Sequence, residues 1–464
     1  MRQKLFTLFF AILAGIGTSL ASTVQIGKLC YKLDDNTHTA EVYFYMGKND
    51  YGSVVIPDSI TYNSTNYNVT RIGNSAFENS KSLASVTIPN SITSIGSGAF
   101  ENCKGFTSIS IPNSVTEIGA SAFKNCTDLT SFTIPNSITS IESSTFYGCR
   151  RLASITIPNS ITSIGSSAFE YCSGLKSITI PNSIISIGNN AFQSCAITSV
   201  HISDLAAWCA IDFQNSLANP LHKDLYLNDE LVTNLIIPND VTSIGSSAFH
   251  SCTGLVSVTI PNSVATIGDV AFMDCSGLTS IQLPNSVTSI GDGAFWDCIG
   301  LVSVTIPNSV TKIERRTFYG CKNLTSVTIP NSVVTIGEYA FYKCSHLESI
   351  EIPNSVTSIE QYAFANCSYL TYIVCKAVIP PTLGHTVFYY VNKSIPLYVP
   401  DEAVNDYKAA DQWKDFYIQP ISALPQGVEN IHSGRAQSAK ALHNGQILIL
   451  RGDRTYTPTG QEVR

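Results

Sequence analysis

Apolar positions along most of this chain fall on a fixed beat, marked by a Pro-Asn turn that recurs every 23 residues at Pro89, Pro112, Pro135, Pro158 and Pro181, and again from Pro238 through Pro261, Pro284, Pro307 and Pro330 to Pro353. In the unit that opens at Leu83, Val86 and Ile88 alternate with Ser85 and Thr87, the signature of a half-buried strand. Pro89 ends the pairing, and Asn90-Ser91 supply turn chemistry. A second apolar group, Ile92, Ile95, Ala99, Phe100 and Cys103, is expected to return the chain over the core. Gly96 eases a bend in that return, although Glu142, Glu314 and Glu360 in the same column show that positive φ is not obligatory. A unit of this length cannot bury its apolar side alone and must stack on its neighbours. The pattern therefore predicts a mainly β repeat solenoid with a parallel sheet on one face and continuous inner columns of Ile, Phe and Cys. With about 13 coils at roughly 4.8 Å each, the body is on the order of 60 Å long. Function is expected on a long surface rather than in a pocket.

Several segments break the beat. The step from Ile180 to Ile237 is 57 residues, so an enlarged, irregular coil is expected over 203–236, with Trp208 in its core. An exposed solenoid end is an open sheet edge and needs a cap. Residues 22–70 read as an N-terminal β cap before repeats spanning 71–395, and residues 396–423 as a C-terminal cap. In the latter, Asp401 is expected to start a helix whose Val404, Tyr407 and Trp413 cover the final coil. A polar linker over 424–441 leads to a tail over 442–464 with two short strand-like runs. At the other end, residues 1–21 combine a basic start, an apolar run and a small-x-small ending, which predicts a secretory signal peptide. No later stretch has the 18 apolar residues a membrane helix needs. The mature chain is expected to be exported, and soluble or held at a surface by something other than a hydrophobic span.

Strand phrase, I-P-N-S turn, A-F pair and Cys hold their spacing together over about residues 70–395, and this combination resembles the BspA-like leucine-rich repeat surface proteins of the Bacteroidetes type. The resemblance implies a leucine-rich-repeat solenoid, right-handed or gently curved, with irregular or short helical returns. It also implies adhesion to host matrix proteins such as fibronectin or fibrinogen. Because the family motif is the scaffold, it carries over no binding residue. The tail over 442–464 is similar to the C-terminal sorting modules of type IX secretion cargo, which implies passage through the outer membrane and attachment to the cell surface.

Composition narrows the chemistry. Charged residues are 13%, net charge is −7 and pI about 5.6, which offers no electrostatic footprint for nucleic acid. Eleven of the 14 cysteines share one column of the repeat, from Cys103 to Cys367, and a residue placed so behaves as a small buried hydrophobe. A ladder of free thiols is expected, with Ser80 filling the column in the first coil, although coil spacing would permit sporadic bridges. The eight histidines are dispersed, no zinc spacing, P-loop or dinucleotide fingerprint appears, and acidic residues never pair repeatedly on one column. No catalytic, metal or cofactor site is expected, and the chain reads as a non-enzyme. Arg451-Gly452-Asp453, a tripeptide that some integrins recognise, reads here as hairpin turn chemistry. Outward columns such as Ser131/Thr133 and Ser154/Thr156 read as a solvated strand face, with glycan binding or water ordering as sharper alternatives.

Columns that vary while the rest is fixed are not dictated by the fold. They place Arg150, Arg151, Arg315, Arg316, Tyr319, Lys322, Tyr339, Tyr342, Lys343, His346, Tyr362, Tyr369 and Tyr372 on returns and coil junctions, and Tyr and Arg are the residues that interfaces favour as anchors. These are the candidate partner-binding residues. The expected function is surface binding or adhesion, with a rigid scaffold offering multivalent contacts to host extracellular proteins, other bacterial surfaces or glycans. A structural surface-layer component and a glycan-capturing surface protein are the alternatives.

Overall fold

A computed structural model describes residues 22–48, 52–425, 439–443, 446–451, 454–456 and 462–463. The expected signal peptide at 1–21 lies outside the described residues, as do Gly452 and Asp453 of the Arg-Gly-Asp tripeptide. The chain winds into a solenoid of about 15 turns, against the 13 coils expected. In each ordinary coil a short strand such as Ser131–Thr133 pairs in parallel with its equivalent Ser154–Thr156, residue over residue. Its Ser and Thr face solvent and its central Phe132 faces the core, as the alternation predicts.

The sequence points to one sheet, whereas the structure has two parallel ladders. The Ser-Ile pair after the turn is itself extended, so that Ser163–Ile164 pairs with Ser140–Ile141 on one side and Ser186–Ile187 on the other. Beyond it the return is built of turns, with two left-handed residues per coil, for example Ser121 (φ 58) and Asn125 (φ 57). Here the backbone bonds to the next coil, as when Phe123 N–H donates to Thr145 O at 2.9 Å.

Inside, like stacks on like. The Phe rings from Phe77 to Phe192 and from Phe249 to Phe388 lie 5.1–5.8 Å apart, with interplanar angles of 5–16°. All 14 cysteines are free thiols. In the column every one but Cys252, which follows the enlarged coil, donates to the Phe carbonyl of the preceding coil, as Cys298 Sγ does to Phe272 O at 3.1 Å, and burial holds these thiols above the ordinary cysteine pKa. Ser80 pays a cost in that column, because its hydroxyl is buried without a partner. In several coils the Ser of the Pro-Asn-Ser turn stitches to the preceding coil, donating at 2.7 Å from Ser332 to Val310 O and from Ser355 to Val333 O, whereas the hydroxyls of Ser91, Ser160, Ser263 and Ser286 are buried without a partner.

The glycine column serves a different purpose from a bend. Gly96, Gly165 and Gly188 have negative φ, and a Cβ at Gly165 would come within 2.5 Å of Ser143 N in the coil before. Close approach of backbones is what these positions need. At Glu142 and Glu314 the second ladder stops: no pairing joins Glu117–Ile118 to Ser140–Ile141, or Ser289–Ile290 to Lys312–Ile313, among the described residues. Both glutamates are followed three residues on by Thr instead of Ala, and the hydroxyls of Thr145 and Thr317 donate to the glutamate carbonyls at 2.7 and 2.8 Å. Glu360, followed by Ala363, keeps its ladder, with its N–H donating to Ile336 O at 2.8 Å. Gly in place of Glu314 together with Ala in place of Thr317 is therefore expected to close the junction. Each restored bond contributes about 1 kcal/mol, so amide exchange at 311 and 314 should slow severalfold; unchanged rates would refute the steric account.

Both ladders also end at the enlarged coil. Asp212–Phe213 closes one against Ser186–Ile187, and Asp224–Leu227 closes the other against Ser199–Ile202 before a hairpin to Glu230–Leu231. A short helix, Leu205–Cys209, is N-capped by Asp204, whose carboxylate accepts from Ala207 N at 3.0 Å. Trp208 is core, 1% exposed, and its indole N–H donates to Ala248 O at 2.9 Å.

At the N-terminal end, antiparallel strands Thr23–Ile26, Leu29–Asp34 and Thr39–Tyr45 lead through a parallel pairing with Thr65–Ile72 into the second ladder. At the C-terminal end Tyr407 and Trp413 cover the last coil, donating to Ala377 O at 2.8 Å and Pro381 O at 2.9 Å. Asp401 does not cap the helix Val404–Ala409, as expected from sequence; it accepts from Ser422 N at 3.1 Å, and a further strand, Tyr417–Pro420, forms the edge. The tail forms an antiparallel sheet of Ala439–His443, Gln446–Arg451, Arg454–Tyr456 and Glu462–Val463. Arg451 pairs with Arg454, and Gly452 and Asp453 between them lie outside the described residues.

Candidate functional site

Two positions on each return point away from the stacked Phe column, one on either side of the Ala-Phe pair. In the N-terminal coils the first is Ser, Gly or Asn in left-handed conformation, as at Ser144, Gly98 and Asn190, residues that tolerate that backbone. In three successive coils near the C-terminal end it is Arg316 (φ 55), Tyr339 (φ 57) and Tyr362 (φ 57). Bulky side chains cost on the order of 1 kcal/mol each in this conformation, so their presence is not explained by folding.

The second position holds Trp296, Tyr319 and Tyr342 in consecutive coils, and the two positions merge into one strip. Trp296 lies 5.0 Å from Tyr319, and Tyr319 stacks 4.9 Å from Tyr342. Tyr342 meets Tyr339 edge to face at 5.3 Å, and Tyr339 stacks on Tyr362 at 5.1 Å. The Arg316 guanidinium sits 5.0 Å over the Trp296 ring and 5.9 Å from Tyr339, and Lys343 lies 5.3 Å from Tyr342. Partial burial and the neighbouring Glu338 carboxylate push the Tyr339 phenol upward in pKa. Most ring faces are taken up by one another or by Arg316. The strip therefore offers mainly ring edges, phenol hydroxyls and guanidinium N–H groups to a partner.

Other candidates fall elsewhere. Arg315 is held by Glu338 at 3.2 Å and Asp292 at 3.8 Å, which ties it to the scaffold. His346 stacks on Tyr369 at 4.9 Å and engages Lys322 O through Nδ1 at 2.7 Å, forming a second exposed patch. Tyr372 lies on the first-strand face, 6.3 Å from Tyr398. Arg150 and Arg151 are several coils away, with Arg151 paired to Asp128 at 3.3 Å. Trp296, Tyr389 and Tyr390 were not singled out in the sequence. Trp296 shares a column with Tyr319 and Tyr342 and could have been found by register alone, whereas the 24-residue step from Phe364 to Phe388 hid Tyr389 and Tyr390.

The arrangement also shows that two coils are variants of one kind. Ile141-Glu142-Ser143-Ser144-Thr145-Phe146-Tyr147-Gly148-Cys149-Arg150 and Ile313-Glu314-Arg315-Arg316-Thr317-Phe318-Tyr319-Gly320-Cys321-Lys322 share Glu, Thr, Tyr, Gly and a basic residue at equal offsets. At Gly148 (φ 70) and Gly320 (φ 69) a Cβ would meet Asn125 Oδ1 or Asp297 Oδ1 of the preceding coil, although other coils carry Asn125, Tyr171 or Lys343 in the same left-handed position.

A model of the BspA type leucine rich repeat region matches residues 56–173, 93–217, 221–314 and 288–402, most of the chain. The chain belongs to the BspA-type leucine-rich repeat proteins. A leucine-rich repeat protein from Bacteroides ovatus is 27% identical with a TM-score of 0.57, the match covering 85% of this chain and 98% of that one. A leucine rich cell surface protein from Faecalibacterium prausnitzii is 31% identical, with 76% and 94% covered and a TM-score of 0.48. The pneumococcal vaccine antigen PcpA is 22% identical over 87% and 98%, and its TM-score of 0.53 speaks to the fold alone. Among curated proteins none matches. Among the described residues no helix is long and apolar enough to cross a membrane. In this chain Ile, Phe, Pro, Ser and Cys hold the repeat, and the strip from Trp296 to Tyr362 lies outside those columns.

Proposed function

We propose that this BspA-type protein is an exported, cell-surface binding protein that contacts an extracellular partner through the aromatic and cationic strip on its C-terminal returns. The observation that carries the reading is the run of Arg316, Tyr339 and Tyr362 in left-handed backbone, side chains the scaffold neither needs nor favours. Tyr, Trp and Arg are the residues that dominate protein interfaces. The partner class is a host matrix protein of the fibronectin or fibrinogen type or another bacterial surface, and the role is binding rather than catalysis. Export rests on the sequence of residues 1–21 and surface attachment on the tail over 442–464. The F. prausnitzii relative, described as a cell surface protein, is in keeping with it.

The test is capture by immobilised fibronectin, fibrinogen and whole bacterial cells, with a variant carrying Arg316→Ser, Tyr339→Ser and Tyr362→Ser alongside the wild type. Wild-type binding that falls at least tenfold in the variant, about 1.4 kcal/mol, supports the assignment. Equal binding by both forms would move the site off the strip, and no binding to any surface would remove the reading.

A further inference from the structure

From the two variant coils, and resting on the binding role above, we propose that this chain carries two copies of one docking site, each taking a carboxylate-rich segment of a protein partner. Each variant coil presents a half-buried Tyr, Tyr147 or Tyr319, followed three residues later by an exposed cation, Arg150 or Lys322. Arg316 and Lys343 add to the second copy.

Charge bookkeeping favours an acidic occupant. Of the carboxylates near these coils, Asp128 holds Arg151, Glu314 holds Lys312, Glu338 and Asp292 hold Arg315, and Glu142 accepts from Ser140 Oγ, while Asp297 beside Gly320 and Glu170 in the coil after Tyr147 form no ion pair among the described residues; at the second copy the unpaired cations still outnumber the unpaired carboxylate. Arg150, Arg316, Lys322 and Lys343 have no carboxylate within ion-pair distance among the described residues. Unpaired cations make charge-assisted bonds to carboxylate oxygens, and phenol hydroxyls on the same coil can donate to them as well. The ring faces a sugar would need for stacking are largely closed by Arg316 and neighbouring rings, so polypeptide carboxylates suit the site better than a glycan.

The spacing is fixed by the solenoid. From Phe146 through Phe169, Phe192, the enlarged coil, Phe249, Phe272 and Phe295 to Phe318, ring steps of 5.2–5.6 Å put the copies about 35–40 Å apart. Two weak sites on a rigid rod bind a partner tightly when its own acidic segments span that distance.

The experiment uses the full chain and an Asp/Glu-rich peptide, alone and as two copies joined by a Gly/Ser linker of about 50 residues, whose mean span matches the separation. The tandem peptide should bind at least tenfold more tightly than the single one. Arg150→Gln with Arg151→Gln, or Arg316→Gln with Lys322→Gln, should each abolish that gain and leave single-peptide affinity near the wild-type value, and the four together should abolish binding, with thermal unfolding unchanged throughout. Binding of the single peptide without a tandem gain would overturn the paired arrangement while leaving the surface-binding role intact. Equal binding of an Asn/Gln peptide, or preference for an acidic polysaccharide over the acidic peptide, would overturn the choice of ligand.

Discussion

Phe295→Ala is expected to remove about 3–5 kcal/mol of stability, the usual cost of an emptied aromatic site in a core that relaxes only partly. Phe295 is 0% exposed and lies between Phe272 at 5.6 Å and Phe318 at 5.5 Å. Neither neighbour can collapse into the gap, because each is pinned by the next ring and by its own backbone bond, Phe272 N to Ala294 O at 2.8 Å and Phe318 N to Ala340 O at 2.9 Å. Urea unfolding followed by circular dichroism measures the loss. Tyr319→Ala, one residue beyond the stacked Phe318 and half-buried, should cost far less. Comparable losses from the two would mean that the strip is part of the core after all.

Trp208→Ala should split the unfolding of the solenoid into two transitions. In a stack where each coil touches only its neighbours, stability is close to a sum of coil and interface terms, so cooperativity is lost wherever one interface becomes too weak. Both parallel ladders end at the enlarged coil. What crosses it toward the C-terminal half includes the Trp208 N–H on Ala248 O, the buried Asn219 amide on Ser247 O and Ala248 O, and Gly245 N–H on Cys209 O at 2.9 Å. Removing the indole takes away about 3–5 kcal/mol at this one interface. Hydrogen exchange read separately on residues before 203 and after 236 should then show two midpoints in denaturant. A single shared midpoint would show that the remaining bonds carry the coupling.

Much of the architecture could be read from the chain because the same residue recurs at the same offset. Alternation in Leu83–Ile88 gave the first strand, and the Phe and Cys columns gave the core. The second ladder was not legible, since Ser94-Ile95 is a two-residue strand and too short for any alternation to show. Nor was the purpose of Gly96 and Gly165, which depends on the distance to another coil's backbone rather than on the φ of the glycine itself. Asp401 looked like a helix cap, but the cap geometry was decided by where Ser422 came to rest, 21 residues later.

The candidate site divides along the same line. Sequence alone determined that Arg316, Tyr319, Tyr339, Tyr342 and Tyr362 stand outside the repeat's requirements, because a periodic core specifies its own columns and leaves the others free. It also fixed the solenoid itself, through apolar faces that have no burial except against the next coil. Only the tertiary structure decided that these five join Trp296 in one strip, that Arg315 is tied down by Glu338 and Asp292, and that Tyr372 lies on another face. The physical reason is that a period sets which residues share a column, whereas the turns that fold each return set which columns become neighbours.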